Sequence, residues 1–205
     1  MTLFSYFTRT DGEIVGQLRP NNMANISTVK DLLVEELKDL YSAENQLLKA
    51  LPKMAKAAKS EELQQAFENH LQQTEEHVQR LEKIGTQLGE SMKGKKCKAM
   101  EGLVEEGKEV MEEDAEPILL DLALIGAAQK VEHYEIAGYG TARSLAELAG
   151  EKEVAEILQE TLDEEGETDK LLTSLAMELG PQASTEDEAS EETVEKGGAK
   201  KGKKK

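Results

Sequence analysis

The chain has no tryptophan, and phenylalanine and tyrosine together make up only 3% of its 205 residues, which argues against a β-sandwich core. A single cysteine, Cys97, excludes an intramolecular disulfide framework and fits a reducing compartment. No segment approaches the roughly 18 apolar residues of a membrane span. Residues 1–25 contain neither an apolar run of signal-peptide length nor a basic leader, so a soluble, cytoplasmic protein is expected. Glycine-rich phosphate loops, zinc-type Cys/His spacings and arrangements suggesting a Ser or Cys nucleophile are missing as well.

What is abundant is charge and good helix formers. Charged residues make up 33% and the formal net charge is −17, which disfavours nucleic acid along the body of the protein and favours metal cations as partners. Ala, Leu, Glu, Lys and Gln fill residues 28–180, as long amphipathic helices require.

Four long helices and a short one are predicted. Ser27 and Thr28 open the first, with Asp31 in a capping-box position, and its stripe reads Leu33, Leu37, Leu40, Glu44, Leu47, Leu51, Met54, Ala58. Pro52 is expected to kink it or to remove one hydrogen bond. Ser60 caps a second helix with the stripe Leu63, Phe67, His70, Thr74, His77 or Val78, Leu81, Gly85, Leu88, ending near Gly89. Residues 90–116 form a long connection in which Met100, Leu103, Val104 and Val110 suggest an extra helix. Pro117 opens the third long helix, with Leu124, Ala128, Val131, Glu135, Gly138, Ala142 and Leu145, which stops at Gly150. The fourth carries Ala155, Leu158, Leu162, Glu165, Asp169, Leu172, Ala176 and Leu179, and Gly180-Pro181 is expected to end it.

Short links within each hairpin and a long one between them permit a crossover, giving an all-α, ferritin-like four-helix bundle. An up-down bundle with a decorated loop also fits. Three divisions are expected: a flexible extension over residues 1–26, the bundle over 27–180, and a disordered charged tail over 181–205.

Glu44, Glu135 and Glu165 interrupt stripes where periodicity requires burial, and an isolated buried carboxylate costs several kcal/mol. Counting about 15 residues from each turn puts Glu44 level with Thr74, and Glu135 opposite Glu165. Glu132 completes an ExxE pair, Asp169 follows Glu165 by one turn, and His70 and His77 flank the layer about 10 Å apart along their helix, too far to share one ion. Spacing does not choose between the two histidines. Each Glu alone reads more simply as ion-paired or snorkelling to water; their coincidence at one depth favours a metal site. His133 reads as exposed or interhelical; Tyr41, Tyr134 and Tyr139 could donate hydrogen bonds to the layer's ligands, but interhelical packing is the simpler account.

The segments LYSAENQLLKALPKMAKAA (40–58), AFENHLQQTEEHVQRLE (66–82), KCKAMEGLVEEG (96–107), AAQKVEHYEIAGYGTARSLAE (127–147) and ETLDEEGETDKLL (160–172) closely resemble the YciE/YciF family of bacterial ferritin-like proteins. The resemblance implies a stress-associated cytoplasmic protein with a dinuclear metal centre. By position it implies Glu44, His70, Glu132, Glu135 and the region from Glu164 and Glu165 to Asp169 as site residues. Relatives commonly have Glu where this chain has Gln72 and Gln73, so the second helix contributes less negative charge here. Two functional readings follow. In one, two Fe or Mn ions react with O2 or peroxide in a homodimeric oxidase or peroxide-detoxifying protein. In the other, a non-catalytic structural bundle uses the polar layer to fix helix register.

Overall fold

The computed structural model describes residues 26–198, so the expected extension over 1–26 lies, but for Ile26, outside the described residues, as does the end of the tail. Five helices follow one another: α1 (Val29–Ala57), α2 (Glu61–Leu88), α3 (Lys98–Glu112), α4 (Pro117–Ala149) and α5 (Lys152–Gly198). Their boundaries are set by local chemistry. Thr28 Oγ1 accepts from the Asp31 amide at 3.0 Å while Asp31 accepts from the Thr28 amide at 3.0 Å, closing the capping box. Ser60 Oγ caps α2 through the Leu63 amide. Gly89 and Gly150 end α2 and α4 at φ +71° and +80°, a left-handed conformation that a Cβ would disfavour. Pro52 stays inside α1 on an exposed position, where water can satisfy the carbonyl that loses its partner.

The fourth long helix departs from expectation. α5 does not stop at Gly180-Pro181 but continues to Gly198, so residues 181–198 are helical rather than irregular. A residue before proline normally avoids the helical region because its Cβ meets the proline ring. Gly180 has no Cβ, which relaxes that restriction. The helix therefore loses one hydrogen bond without having to end.

Cross-helix pairs fix the directions. Lys59 meets Asp121 while Leu40 meets Gly138, so α4 runs antiparallel to α1. His77 meets Glu164 and Gln87 meets Glu153, so α5 runs antiparallel to α2. α2 and α4 therefore point the same way on opposite corners, and the chain between them must return along the full length of the molecule. Residues 90–116, with α3 packed on α1 and α4, make that return.

The apolar interior is divided in two. One cluster, including Leu47, Leu51, Phe67, Leu124 and Leu172, lies toward the α1–α2 turn; the other, including Leu33, Leu37, Leu81, Tyr139 and Leu158, lies toward the α4–α5 turn. Between them the stripes turn polar. Glu44, His70, Thr74, His77, Glu132, Glu135, Thr161 and Glu165 are all buried at that level.

A further buried carboxylate ties the α1–α2 corner to α4: Asp121 accepts from the backbone amides of Lys59 and Ser60, each at 2.7 Å. Asp121→Ala removes both charge-assisted bonds and leaves two amides unsatisfied. It is expected to cost about 2–4 kcal/mol. Chemical denaturation should show the midpoint falling at unchanged m-value, with Asp121→Asn in between.

Candidate metal centre

Two sets of ligand atoms converge in the polar layer. His70, Glu132, Glu135 and Glu165 each offer one atom within 4.8 Å of the others, and so do Glu44, His77 and Glu165. Glu165 belongs to both. Every long helix contributes: Glu44 from α1, the histidines from α2, the ExxE pair from α4 and Glu165 from α5.

The two histidines, which spacing left undivided, take one set each. His70 Nε2 lies 3.3 Å from Glu132 and 3.8 Å from Glu165. His77 Nδ1 lies 3.1 Å from Glu165 and 3.3 Å from Glu44. Neither Glu44 nor Glu165 is aligned with the His77 ring nitrogen, so these are close approaches rather than hydrogen bonds. The rings lean toward each other to a centroid separation of 6.4 Å, while each keeps its own carboxylates.

Many atoms that face the layer lack hydrogen-bond partners, and these orphans are the diagnostic feature. They include both oxygens of Glu135 and Glu165, one each of Glu44 and Glu132, His70 Nε2 and His77 Nδ1. Buried polar atoms are almost always satisfied, because burial without a partner costs one to several kcal/mol. The opposite ring nitrogens are held. His77 Nε2 lies 2.8 Å from Glu164, and His70 Nδ1 lies 3.4 Å from both Gln73 and Thr168. A proton on the held nitrogen leaves a lone pair on the facing one, as a metal-binding imidazole requires.

The support continues outward. Arg80 grips Glu164 with two nitrogens and also reaches Thr161 at 3.2 Å and Glu160 at 3.1 Å. Tyr139 donates to Glu44 at 2.5 Å. Tyr139, read from sequence as packing, thus fixes a carboxylate of the layer. Tyr134 and Tyr41 do not reach it: Tyr134 donates to Asp39 beside Cys97, and Tyr41 to Glu82 at 2.8 Å.

Asp169 is not brought into the cluster. Its carboxylate accepts from Gln129 at 3.0 Å and lies 3.3 Å from the exposed His133. Four residues on a helix overshoot a full turn by about 40° and advance about 6 Å, which carries Asp169 past the layer to the α4–α5 edge. The buried stripe of α5 runs instead through Leu158, Thr161, Glu165, Leu172 and Leu175. Gln73 holds His70, whereas Gln72 is exposed, so its lack of charge does not bear on the layer.

Proton affinity in the layer follows from burial and crowding. Burial, then neighbouring carboxylates, hold Glu132 and Glu135 well above the usual carboxylate range; burial also raises Glu44, against the pull of His77. Burial alone would lower His77, but Glu165 and Glu44 beside it push it up to about 11. Without cations the folded layer therefore binds more protons than the unfolded chain. Stability from the carboxylates is fully present below their unfolded value of 4.5 and is lost as pH rises through the raised folded values. That from His77 is present below 6.5 and is lost toward 11. Chelator-treated protein should accordingly melt at a lower temperature at pH 8 than at pH 5.5, and saturating Mn2+ should remove most of that difference.

The described residues contain no helix long and apolar enough to cross a membrane. Protein YciF of Escherichia coli strain K12 is 47% identical over 154 residues, which cover 75% of this chain and 93% of YciF. The crystal structure of that stress protein aligns with a TM-score of 0.74 at 46% identity, covering 76% of this chain and 99% of the other. YcfI of Rhodopseudomonas palustris aligns at 0.70 and 40% identity, covering 73% of this chain and 95% of its own. With a family profile matching residues 28–185, the chain belongs to the family described as a domain of unknown function, DUF892.

Proposed function

We propose that this chain is a ferritin-like bundle that holds two iron or manganese ions in its polar layer and serves stressed cells as a cytoplasmic oxidase or peroxide-detoxifying protein. The orphaned carboxylate and imidazole atoms, buried with no lysine or arginine among them in the described residues, carry the reading. Four carboxylates bring four negative charges, which two divalent ions would balance with both histidines neutral. Oxygen-rich ligand sets with imidazole suit iron and manganese better than soft or square-planar metals. The return crossover between two antiparallel hairpins agrees with ferritin-like connectivity.

Bound ions would supply the redox and Lewis-acid chemistry toward O2 or peroxide. The chain's own residues position and insulate. Glu165 serves both ligand sets, and Glu44 with His77, and Glu132 and Glu135 with His70, complete them. Arg80 keeps Glu164 ionised and in place, so that Glu164 retains the proton on His77 Nε2. The two apolar clusters exclude bulk water from either end.

Protein purified from cells supplied with iron and manganese should carry about two ions per chain by elemental analysis. Glu165→Ala should lose most of both. Glu164→Ala should weaken retention by about 10- to 100-fold while leaving the fold intact. Wild-type protein that keeps no metal under these conditions overturns the reading.

A further inference from the structure

A cavity whose lining includes none of the layer's buried carboxylates or histidines lies where α3 packs against α1 and α4. It has a volume of about 230 Å3. Its apolar wall is built by Leu47 and Met54 of α1, Leu103, Val104 and Met111 of α3, and Val131 of α4. The opening arises from small residues. Gly107, buried on α3, has only the Ala127 methyl near where its own Cβ would stand, at 4.0 Å.

The charge around this cavity runs against that of the chain. The sequence has 42 acidic and 25 basic residues, yet Lys49, Lys53, Lys96 and Lys108 line the cavity with no carboxylate among its lining residues. Lys96 and Lys108 are bound to Glu101 and Glu105. Lys49 and Lys53, one turn apart on the exposed side of α1, make no ion pair among the described residues. Like charges one turn apart repel, so an anion between them would relieve a local cost.

We propose that this cavity binds a medium-chain fatty acid, whose alkyl chain lies against the α1–α3–α4 wall and whose carboxylate meets Lys49 and Lys53. Pockets for small molecules combine an apolar lining with a few convergent polar groups, which is the arrangement here. Decanoate is a suitable probe, with an alkyl chain to lie in the apolar space and a head group to reach the lysine rim. Burial of the chain supplies affinity, and the lysines select the charged end.

Titration calorimetry of the full chain with decanoate, decanol and decyltrimethylammonium tests this. Wild-type protein should bind one decanoate saturably, decanol more weakly, and the cationic amphiphile not at all. The Lys49→Gln/Lys53→Gln double variant should weaken decanoate by about tenfold and leave decanol unchanged. Gly107→Leu fills the cavity from a helical position that accepts a side chain, and should abolish binding of both while its melting temperature stays at or above wild type. Absence of saturable decanoate binding, equal binding of decanoate and decanol, or decanoate binding that survives Gly107→Leu would each overturn the assignment. None of these outcomes depends on metal in the polar layer.

Discussion

Four carboxylates and two imidazoles occupy one buried level of the structure, and among the described residues no lysine or arginine is buried there to face them. Each buried charge carries a penalty of several kcal/mol, and neighbouring like charges add to it. Only protons or bound cations can remove that penalty, and the two alternatives compete for the same oxygen and nitrogen atoms. The remainder of the fold is arranged to hold the layer in spite of its cost. An apolar cluster sits on either side, so that the helices are clamped above and below the level where their packing is least favourable.

Positioning is achieved by connectivity as much as by side chains. Because α2 and α4 run in the same direction on opposite corners, the histidines of one look across the interior toward the ExxE pair of the other, while α1 and α5 close the remaining sides. The long return through α3 is the cost of that geometry, and it creates the cleft over α1 and α4 as a by-product. A hydrogen-bonded shell then holds the facing groups. Glu164 and Arg80 brace His77, Gln73 and Thr168 stand beside His70, and Tyr139 fixes Glu44. Residues in such a shell orient ligands and set their basicity, so their identity matters nearly as much as that of the ligands.

Much of this was legible in the sequence because helical periodicity is strict over long stretches. The interruption of leucine stripes by Glu44, Glu135 and Glu165, and their equal distance from two turns, locate the layer in the sequence itself. Capping residues at Thr28, Ser60, Gly89 and Gly150 set the register from which that distance was counted. Legibility failed where periodicity had to be extrapolated or where a residue acts outside its own helix. Asp169 was placed by a heptad-like step that drifts off the buried face of α5. Gly180-Pro181 reads as a stop because glycine followed by proline is a common helix ending, yet α5 continues through both. Both histidines face the layer, each toward its own carboxylates, a division that one-dimensional spacing does not describe. Asp121 and Arg80 carried no local signal, since the amides and carboxylates they bind lie about 60 to 80 residues away in sequence.

The central claim is that the layer is neutralised by two cations rather than by protons. Anomalous diffraction from crystals of Mn2+-loaded protein, with data on both sides of the manganese absorption edge, tests it most directly. The account predicts two manganese peaks in the layer, one among His70, Glu132 and Glu135 and one between Glu44 and His77, with Glu165 reaching both. A layer without manganese density, in which the carboxylates pair with one another or turn outward to solvent, would contradict it.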